Sequence, residues 1–303
     1  MNDGFLVSTD WLQAHLDRPG VRVVDIRGSV PPLPEPPSAE GTAPAAPSAG
    51  LGYEGSRDAY DKGHIPGAVF IDWTSDIVDP DDPVPVQLAS AERFAAAMRD
   101  AGIGDGDLVV AYDTHPAATF AARLWWALRY YGHDQVVLLD GGLPKWEREG
   151  RPVDDTPVTP RPAEFTPRPR PRLGASVDDV LAVLRDGGAT LVDARDAGQY
   201  DGTTAREGNR PGHIPGAVNV PRDDLVDTTT GTWRPREELR RIFADARLQP
   251  DEPVVAYCNG GVAAPAVLFG LARAGYATEN AANYDGSWNE WSAREDLPVE
   301  TSR

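Results

Sequence analysis

The chain contains one sequence pattern twice, and this internal repeat limits the folds available to it. The heptapeptide Gly-His-Ile-Pro-Gly-Ala-Val occupies residues 63–69 and occurs again at residues 212–218. A second match joins residues 109–113 with residues 254–258, and a third places Asp-Gly before Trp near the end of each half. A duplicated unit of this length predicts two similar domains of ~150 residues, each large enough to bury its own core.

Within each copy, short apolar runs alternate with helical patterns. In the second copy, Thr190–Asp193 and Val254–Tyr257 are apolar runs typical of buried strands. Ser176 precedes two acidic residues and predicts a helix start, and Pro235 predicts another. A further helix is predicted over residues 262–274. Strands alternating with helices predict an α/β fold, with a central, mainly parallel sheet flanked by helices in each domain.

Two proline-rich segments interrupt the repeat. Residues 30–50 have no counterpart in the second half, and they contain seven prolines, five alanines and no aromatic residue. This composition predicts a mobile insertion without core contacts. Residues 151–173 contain seven more prolines and predict an extended linker. The expected organisation is an N-terminal domain over residues 1–150, this linker, and a C-terminal domain over residues 174–303.

The charge balance and the repeat together exclude two classes of partner. The chain has 29 Lys and Arg against 47 Asp and Glu, a formal net charge of −18. Nucleic-acid binding needs a basic face and is not expected. Residues 253–272 are uncharged and long enough to cross a bilayer. Their counterpart in the first copy carries Asp113 and Arg123, so we expect no membrane span and no membrane partner.

The cysteine and histidine content argues against metal and disulfide chemistry. Cys258 is the one cysteine of the chain, and the five histidines do not pair at metal-ligand spacing. The N-terminus lacks a basic segment followed by an apolar run, so no export signal is predicted. Together with a thiol that must stay reduced, this favours a cytoplasmic location.

Cys258 stands where a predicted strand ends and a helix begins. In open α/β sheets, ligands bind at the carboxyl ends of the strands. Gly260 and Gly261 follow the cysteine and allow several backbone N–H groups to converge on one point, while the helix N-terminus favours a thiolate. A free cysteine is more often a small buried hydrophobic residue. The glycines and the position at a strand end favour a nucleophile instead.

These features resemble the tandem-domain sulfurtransferases of the rhodanese family, which include thiosulfate and 3-mercaptopyruvate sulfurtransferases. The resemblance rests on the doubled His-Ile-Pro-Gly-Ala motif, on the Asp-Gly endings at residues 139–142 and 284–288, and on the loop from Cys258 to Ala263. It implies two tandem rhodanese-like domains. It also implies a catalytically silent first domain, because Asp113 takes the cysteine position there, and a catalytic second domain.

The resemblance further implies a persulfide mechanism without a cofactor. The Cys258 thiolate would take sulfur from a small anionic donor, thiosulfate or 3-mercaptopyruvate. The persulfide would pass it to a thiophilic acceptor such as cyanide, a thiol or a thioredoxin-like protein. The substrate-binding residues that the resemblance implies are the loop residues and one arginine: Asn259, Gly260, Gly261, Val262, Ala263 and Arg206.

The cations and the loop residues do not decide whether the sulfur donor is thiosulfate or 3-mercaptopyruvate. Arg206 matches an arginine that mercaptopyruvate enzymes carry seven places before the motif histidine, whereas Gln199 stands where relatives usually have arginine. Arg210 is a candidate substitute for that cation. Asn259 and Gly260 supply neither the loop cations of thiosulfate enzymes nor the loop hydroxyl of mercaptopyruvate enzymes. Mercaptopyruvate is slightly favoured, since a carboxylate needs only one bidentate arginine.

Two other functions compete with sulfur transfer as explanations of Cys258. Cysteine-dependent phosphatases and arsenate reductases need an arginine six places after the cysteine, and Ala264 stands there, so both are rejected. A non-catalytic binding module remains the alternative, although the intact Cys258 argues against it.

Some residues occur at matching positions in both halves. Chemistry that takes place in one half cannot explain them, so we expect them to serve the fold: Asp25 and Asp193, Arg27 and Arg195, His64 and His213.

Overall fold

The computed structural model describes residues 4–30 and 52–302, in which two parallel sheets of five strands form the framework. The described residues of the first half form seven strands: β1 Leu6–Val7, β2 Val21–Asp25, β3 Gly28–Ser29, β4 Glu54–Gly55, β5 Val69–Phe70, β6 Leu108–Tyr112 and β7 Val136–Leu139. Its helices are α1 Thr9–Gln13, α2 Arg57–Lys62, α3 Ala91–Asp100, α4 Thr119–Tyr130 and α5 Gly142–Arg148. Apart from Val30, the proline-rich insertion expected at residues 30–50 lies outside the described residues.

The second half repeats this arrangement. Its strands are β8 Gly174–Ala175, β9 Thr190–Asp193, β10 Val218–Asn219, β11 Val226–Asp227, β12 Thr232–Trp233, β13 Val254–Tyr257 and β14 Ala281–Tyr284. Its helices are α6 Val177–Asp186, α7 Ala197–Asp201, α8 Arg236–Asp245, α9 Ala264–Ala274 and α10 Ser287–Ala293. Short 3₁₀ turns cover Pro171–Leu173, Arg222–Leu225 and Thr278–Asn280.

The two sheets have the same strand order. The first runs β1-β7-β6-β2-β5 and the second, read from the matching edge, runs β8-β14-β13-β9-β10, with every neighbouring pair parallel. The predicted α/β fold with a central parallel sheet in each domain is thus confirmed. Two small antiparallel pairs, β3 with β4 and β11 with β12, lie outside these sheets.

Alternating side chains divide the core into layers. In β2 and β6, Val23 and Val110 pack on the outer face of the first sheet, whereas Val24 and Val109 face the opposite side. This alternation is the period of two expected for a strand. The inner side chains of both sheets join one continuous apolar cluster that includes α4 and α9.

The interface between the domains is built around Phe269 of α9. The centroid of its ring lies 5.1 Å from that of Trp125 of α4, in a T-shaped contact, and 6.1 Å from that of Phe5. Two rings of the first domain therefore hold one fully buried ring of the second domain. Among the described residues, no helix has both the length and the apolar character needed to span a membrane.

The first domain carries a buried carboxylate at the point where the second carries its thiol. Asp113 follows β6 and accepts hydrogen bonds from the backbone N–H groups of His115 (2.9 Å), Phe120 (2.8 Å) and Ala121 (2.9 Å). The last two N–H groups belong to the first turn of α4, where backbone donors lack a partner within the helix. Burial raises the pKa of Asp113 to about 7, although the three N–H donors act in the opposite direction.

This carboxyl should make the stability of the protein depend on pH. Between the ordinary pKa of 3.8 and about 7, the native state holds a proton that the unfolded chain has released. The contribution of Asp113 to the free energy of unfolding is therefore complete below pH 3.8 and is lost as the pH rises to about 7, by at most about 1.4 kcal/mol per pH unit.

Urea unfolding of wild type and Asp113→Asn at several pH values between 4.5 and 8 measures this contribution. The difference between the two proteins should change across that range, whereas Asp178→Asn, at an exposed position of α6, should follow the wild type throughout. A constant difference between wild type and Asp113→Asn would show that the carboxyl does not titrate in this range.

Candidate active site

Cys258 follows β13 at the carboxyl end of the second sheet, and its side chain is buried. A loop of residues 259–263 connects it to α9, which begins at Ala264. The helix predicted from residue 262 thus starts two residues late. The N–H of Ala266 donates to the carbonyl of Ala263 at 3.0 Å, three residues back, so residues 262 and 263 precede the first α-helical turn. The N–H of Ala263 points to the Cys258 Sγ at 3.3 Å. This N–H is a direct hydrogen-bond donor to the sulfur.

Ser287 holds the two ends of this loop together. Its Oγ accepts hydrogen bonds from the N–H groups of Cys258 (3.0 Å) and Gly261 (2.9 Å), and it donates to the carbonyl of Tyr284 (2.7 Å). Ser287 is fully buried and has a φ of 53°, which is costly for a residue other than glycine. One hydroxyl therefore satisfies two N–H groups that would otherwise be buried without a partner.

Gly261 needs to be a glycine. Its φ is +71°, and a Cβ at this position would lie 2.5 Å from the carbonyl oxygen of Asp285. The Gly261 carbonyl accepts hydrogen bonds from Arg123 Nη1 and Asn283 Nδ2, both at 3.1 Å. The tight loop is thus fixed both by its own dihedral angle and by side chains around it.

Three N–H groups of the loop are left for a ligand. Within residues 4–30 and 52–302, the N–H groups of Asn259, Gly260 and Val262 donate no hydrogen bond. The side chain of Asn259 is occupied elsewhere, because its Oδ1 accepts from Gln199 Nε2 at 3.2 Å. The loop can therefore offer backbone donors, together with that of Ala263, to a negative charge near the sulfur.

A cleft of about 410 Å³ opens in front of Cys258, between the two domains. The loop after Cys258 forms one wall, with Asn259, Gly260, Val262 and Ala263. The remainder is Val30 together with polar side chains of both domains: Tyr53, His115, Thr119, Arg206 and Arg222. The site is therefore shared between the domains.

The structure separates the arginines that the sequence singled out. Arg206 lines the cleft, and its buried Nε has no hydrogen-bond partner among the described residues. Arg222, which the sequence did not single out, also lines the cleft and forms an ion pair with Asp223 at 3.5 Å. Arg210 does not reach the cleft, so the idea that it substitutes for the missing cation is wrong.

Arg210 instead holds the C-terminal helix in place. Its guanidinium donates to four backbone carbonyls at the end of α10 and beyond, at 2.8–3.0 Å: those of Trp291, Ser292, Arg294 and Leu297. These carbonyls include the last acceptors of the helix, which lack partners within it. A cation at this position stabilises the helix end.

The doubled residues have structural surroundings. Arg195 makes bidentate hydrogen bonds to Asp193 and donates to the carbonyl of Gly212 at 2.8 Å, and Arg27 does the same with Asp25 and Gly63. Each pair fixes the turn before the repeated heptapeptide. His213 stacks on Tyr200, with ring centroids 3.7 Å apart, and lies outside the residues that line the cleft.

Sequence reasoning missed Ser287 and the cleft residues of the first domain. Ser287 left a usable signal, since its counterpart in the first half is Gly142, which has nearly the same φ of 55°. The hydroxyl is therefore unique to the half that carries the thiol. Tyr53, His115 and Thr119 left no such signal, because nothing in the order of residues places the first copy against Cys258.

Ser287→Ala tests the role of this hydroxyl. The variant leaves the N–H groups of Cys258 and Gly261 buried without an acceptor, which should lower the free energy of unfolding by about 1–3 kcal/mol. We also expect slower turnover at saturating substrate, since the sulfur loses its support.

The matched control lies in the same helix. Ser292 is also buried, but its Oγ makes no hydrogen bond in the described part of the chain, so Ser292→Ala should change neither property appreciably. Chemical denaturation and steady-state kinetics measure both variants. Equal effects of the two substitutions would contradict the role given to Ser287.

The chain is similar in sequence to known proteins over nearly its whole length. The Rhodanese-like domain family matches residues 8–149 and 176–294. The chain is 35% identical over 302 residues to the 3-mercaptopyruvate sulfurtransferase of Escherichia coli, with 99% of each chain covered. It is 32% identical over 303 residues to a putative thiosulfate sulfurtransferase of Mycobacterium bovis, with 97% of each chain covered.

A solved structure agrees with these matches. The crystal structure of a 3-mercaptopyruvate sulfotransferase from Escherichia coli superposes with a TM-score of 0.77 and 33% identity, covering 94% of this chain and 98% of that one. Fold, repeat and similarity over the full length agree. The chain therefore belongs to the rhodanese family, as a sulfurtransferase built from two tandem rhodanese-like domains.

Proposed function

We propose that this sulfurtransferase carries sulfur on Cys258 as a persulfide, taking it from thiosulfate or 3-mercaptopyruvate and giving it to a thiophilic acceptor. The acceptor is cyanide, a thiol or a thioredoxin-like protein. The observation that carries the proposal is the placement of the one cysteine: its sulfur accepts an N–H hydrogen bond at 3.3 Å, at the start of α9 and at the base of the cleft. No cofactor enters the reaction.

The chemistry balances in two steps. The Cys258 thiolate attacks the outer sulfur of the donor and forms the new S–S bond, while the bond from that sulfur to the rest of the donor breaks. Thiosulfate leaves as sulfite. Mercaptopyruvate leaves as the enolate of pyruvate, which takes up a proton as the persulfide loses one. The acceptor then attacks the outer sulfur, and the thiolate is restored.

The first domain supports an anionic role for the loop. Asp113 occupies the position equivalent to Cys258, and its carboxylate is held by the N–H of His115, whose counterpart is Gly260. The backbone N–H donors lower the pKa of Asp113 against the larger effect of burial, so a loop of this shape favours the negative form in the half without a thiol. We infer that the N–H groups of Asn259, Gly260 and Val262 stabilise the persulfide in the second half. The first domain is accordingly proposed to be catalytically silent.

The surrounding cations favour a carboxylate donor. The Nε of Arg206 and that of Arg222 both lack a hydrogen-bond partner among the described residues, but Arg222 is partly neutralised by its ion pair with Asp223 at 3.5 Å. The formal net charge of −18 opposes a doubly charged anion. One free guanidinium suits the single carboxylate of mercaptopyruvate. We propose that mercaptopyruvate is the better donor and that thiosulfate is used with a higher KM.

We propose that the protein acts in the cytoplasm. A reactive thiol needs a reducing environment, and Cys258 is the chain's one cysteine.

Cys258→Ser should abolish sulfur transfer with either donor, because serine cannot carry a sulfane sulfur. Incubation of the wild type with donor should raise its intact mass by one sulfur atom, and dithiothreitol should remove that mass. Asp113→Ala should still acquire the extra sulfur. Turnover by the serine variant, or no mass change in the wild type, would refute the persulfide.

Arg206→Ala should raise the KM for mercaptopyruvate by about 30-fold, the equivalent of roughly 2 kcal/mol for a lost charged hydrogen bond. Arg185→Ala, on the exposed surface of α6, is the control for the loss of one positive charge. Steady-state kinetics with both donors measures the effect. An unchanged KM would place Arg206 outside the anion site.

A further inference from the structure

One wall of the cleft belongs to the first domain, which we propose to be catalytically silent, and beside Val30 it carries three polar side chains: Tyr53, His115 and Thr119. We propose that this wall binds the sulfur donor directly: the Nε2–H of His115 and the hydroxyl of Tyr53 donate hydrogen bonds to the keto oxygen of a 2-oxo acid. The inference rests on the proposed function and extends it, because it makes the first domain the determinant of donor choice.

The position of the proton on His115 follows from its neighbours. Nδ1 accepts a hydrogen bond from the N–H of Ala117 at 3.1 Å and contacts the hydroxyl of Thr119 at 3.2 Å. An acceptor at Nδ1 leaves the proton of a neutral imidazole on Nε2. That Nε2–H donates to none of the residues in the described ranges, and the ring lines the cleft. A molecule in the cleft is therefore its available acceptor.

The ring of His115 is neutral at physiological pH. Burial, together with the positive charge of Arg222, lowers its pKa to about 4, while Asp223 acts in the opposite direction. Histidine in this state is a fixed N–H donor that carries no net charge. It can therefore bind an oxygen that is neutral before the reaction and becomes negative during it.

Tyr53 brings a second donor to the same cleft, next to the loop. A Cβ built on Gly260 would lie 3.3 Å from the Tyr53 hydroxyl oxygen, so the phenol stands directly over the catalytic loop. That oxygen accepts a hydrogen bond from Asn289 Nδ2 at 3.1 Å. Burial raises the pKa of Tyr53, so the O–H keeps its proton. Within the described residues this O–H has no acceptor.

Neutral donors have a definite use in the cleavage of mercaptopyruvate. When its C–S bond breaks, the electron pair passes to carbon and is delocalised onto the keto oxygen as an enolate. Donors aimed at that oxygen stabilise the charge as it develops. Thiosulfate has no such oxygen, since its charge is shared among sulfonate oxygens throughout. The two side chains therefore distinguish the donors by chemistry rather than by total charge.

The test compares both donors in three variants and two controls. Tyr53→Phe removes only the hydroxyl, and His115→Asn keeps a short acceptor for Ala117 while withdrawing the ring N–H from the cleft; the third variant combines them. Tyr276→Phe loses a hydroxyl that donates to the Leu248 carbonyl outside the cleft lining, and His15→Asn loses a half-buried histidine in the turn after α1, also outside that lining. Thermal melting monitors folding in all five.

We expect each single variant to lower kcat/KM for mercaptopyruvate about tenfold and to change that for thiosulfate less than twofold, with both controls and all melting temperatures near those of the wild type. An equal fall for both donors would indicate that the two residues only support the loop, and it would overturn the inference. So would an unchanged rate with mercaptopyruvate in Tyr53→Phe. Absence of persulfide in the wild type would instead refute the proposed function itself.

Discussion

The ion pair between Arg123 and Asp285 joins the first domain to the loop that follows Cys258. Arg123, in α4, is 1% exposed, and its guanidinium contacts both oxygens of the Asp285 carboxylate. The same guanidinium donates to the carbonyls of Gly261 and Val86, each at 3.1 Å. A buried charge is tolerated only when it is fully paired, and here the pairing involves three separate segments of the chain.

The conformation of the loop depends on this arrangement. The Asp285 carboxylate also accepts from the N–H of Leu88 at 2.7 Å and from Asn283 Nδ2 at 3.0 Å, which fixes its position. The backbone of Asp285 lies so close to residue 261 that only glycine fits at that position. Ser287, two residues further on, receives the N–H groups of the loop. The loop that carries the sulfur is therefore held by contacts from both domains: Arg123 of α4 binds the Asp285 carboxylate, and the Ser287 hydroxyl binds the loop N–H groups.

Local signals in the sequence predicted the elements well. The strands at Thr190–Asp193 and Val254–Tyr257 have the predicted bounds, and Ser176 caps α6 in a capping box with Asp179. Apolar runs and capping side chains act within a few residues, so they can be interpreted without tertiary structure. The predicted start of α9 was wrong by two residues, since the first bond at the helix start runs from the N–H of Ala266 to the carbonyl of Ala263.

The candidate site was only half predictable. Cys258 and its loop are contiguous, and the repeat isolates them as features of one half. Tyr53 and His115 reach the cleft because two domains pack together, and that packing depends on side chains such as Phe269 and Arg123. Arg210 shows the converse: proximity in sequence to the repeated heptapeptide suggested an anion site, but the unpaired carbonyls of α10 attract the guanidinium more strongly.

The burial of the one cysteine also determines how the protein recovers from oxidation. A protein with a second thiol nearby can convert a sulfenate into an internal disulfide, but this chain has no other cysteine to provide it. Reduction must come from a thiol on another molecule. Because Cys258 is 3% exposed, that thiol must be carried on something slender enough to enter the cleft. The return to a working state is thus governed by the small thiols and extended protein loops of the surroundings.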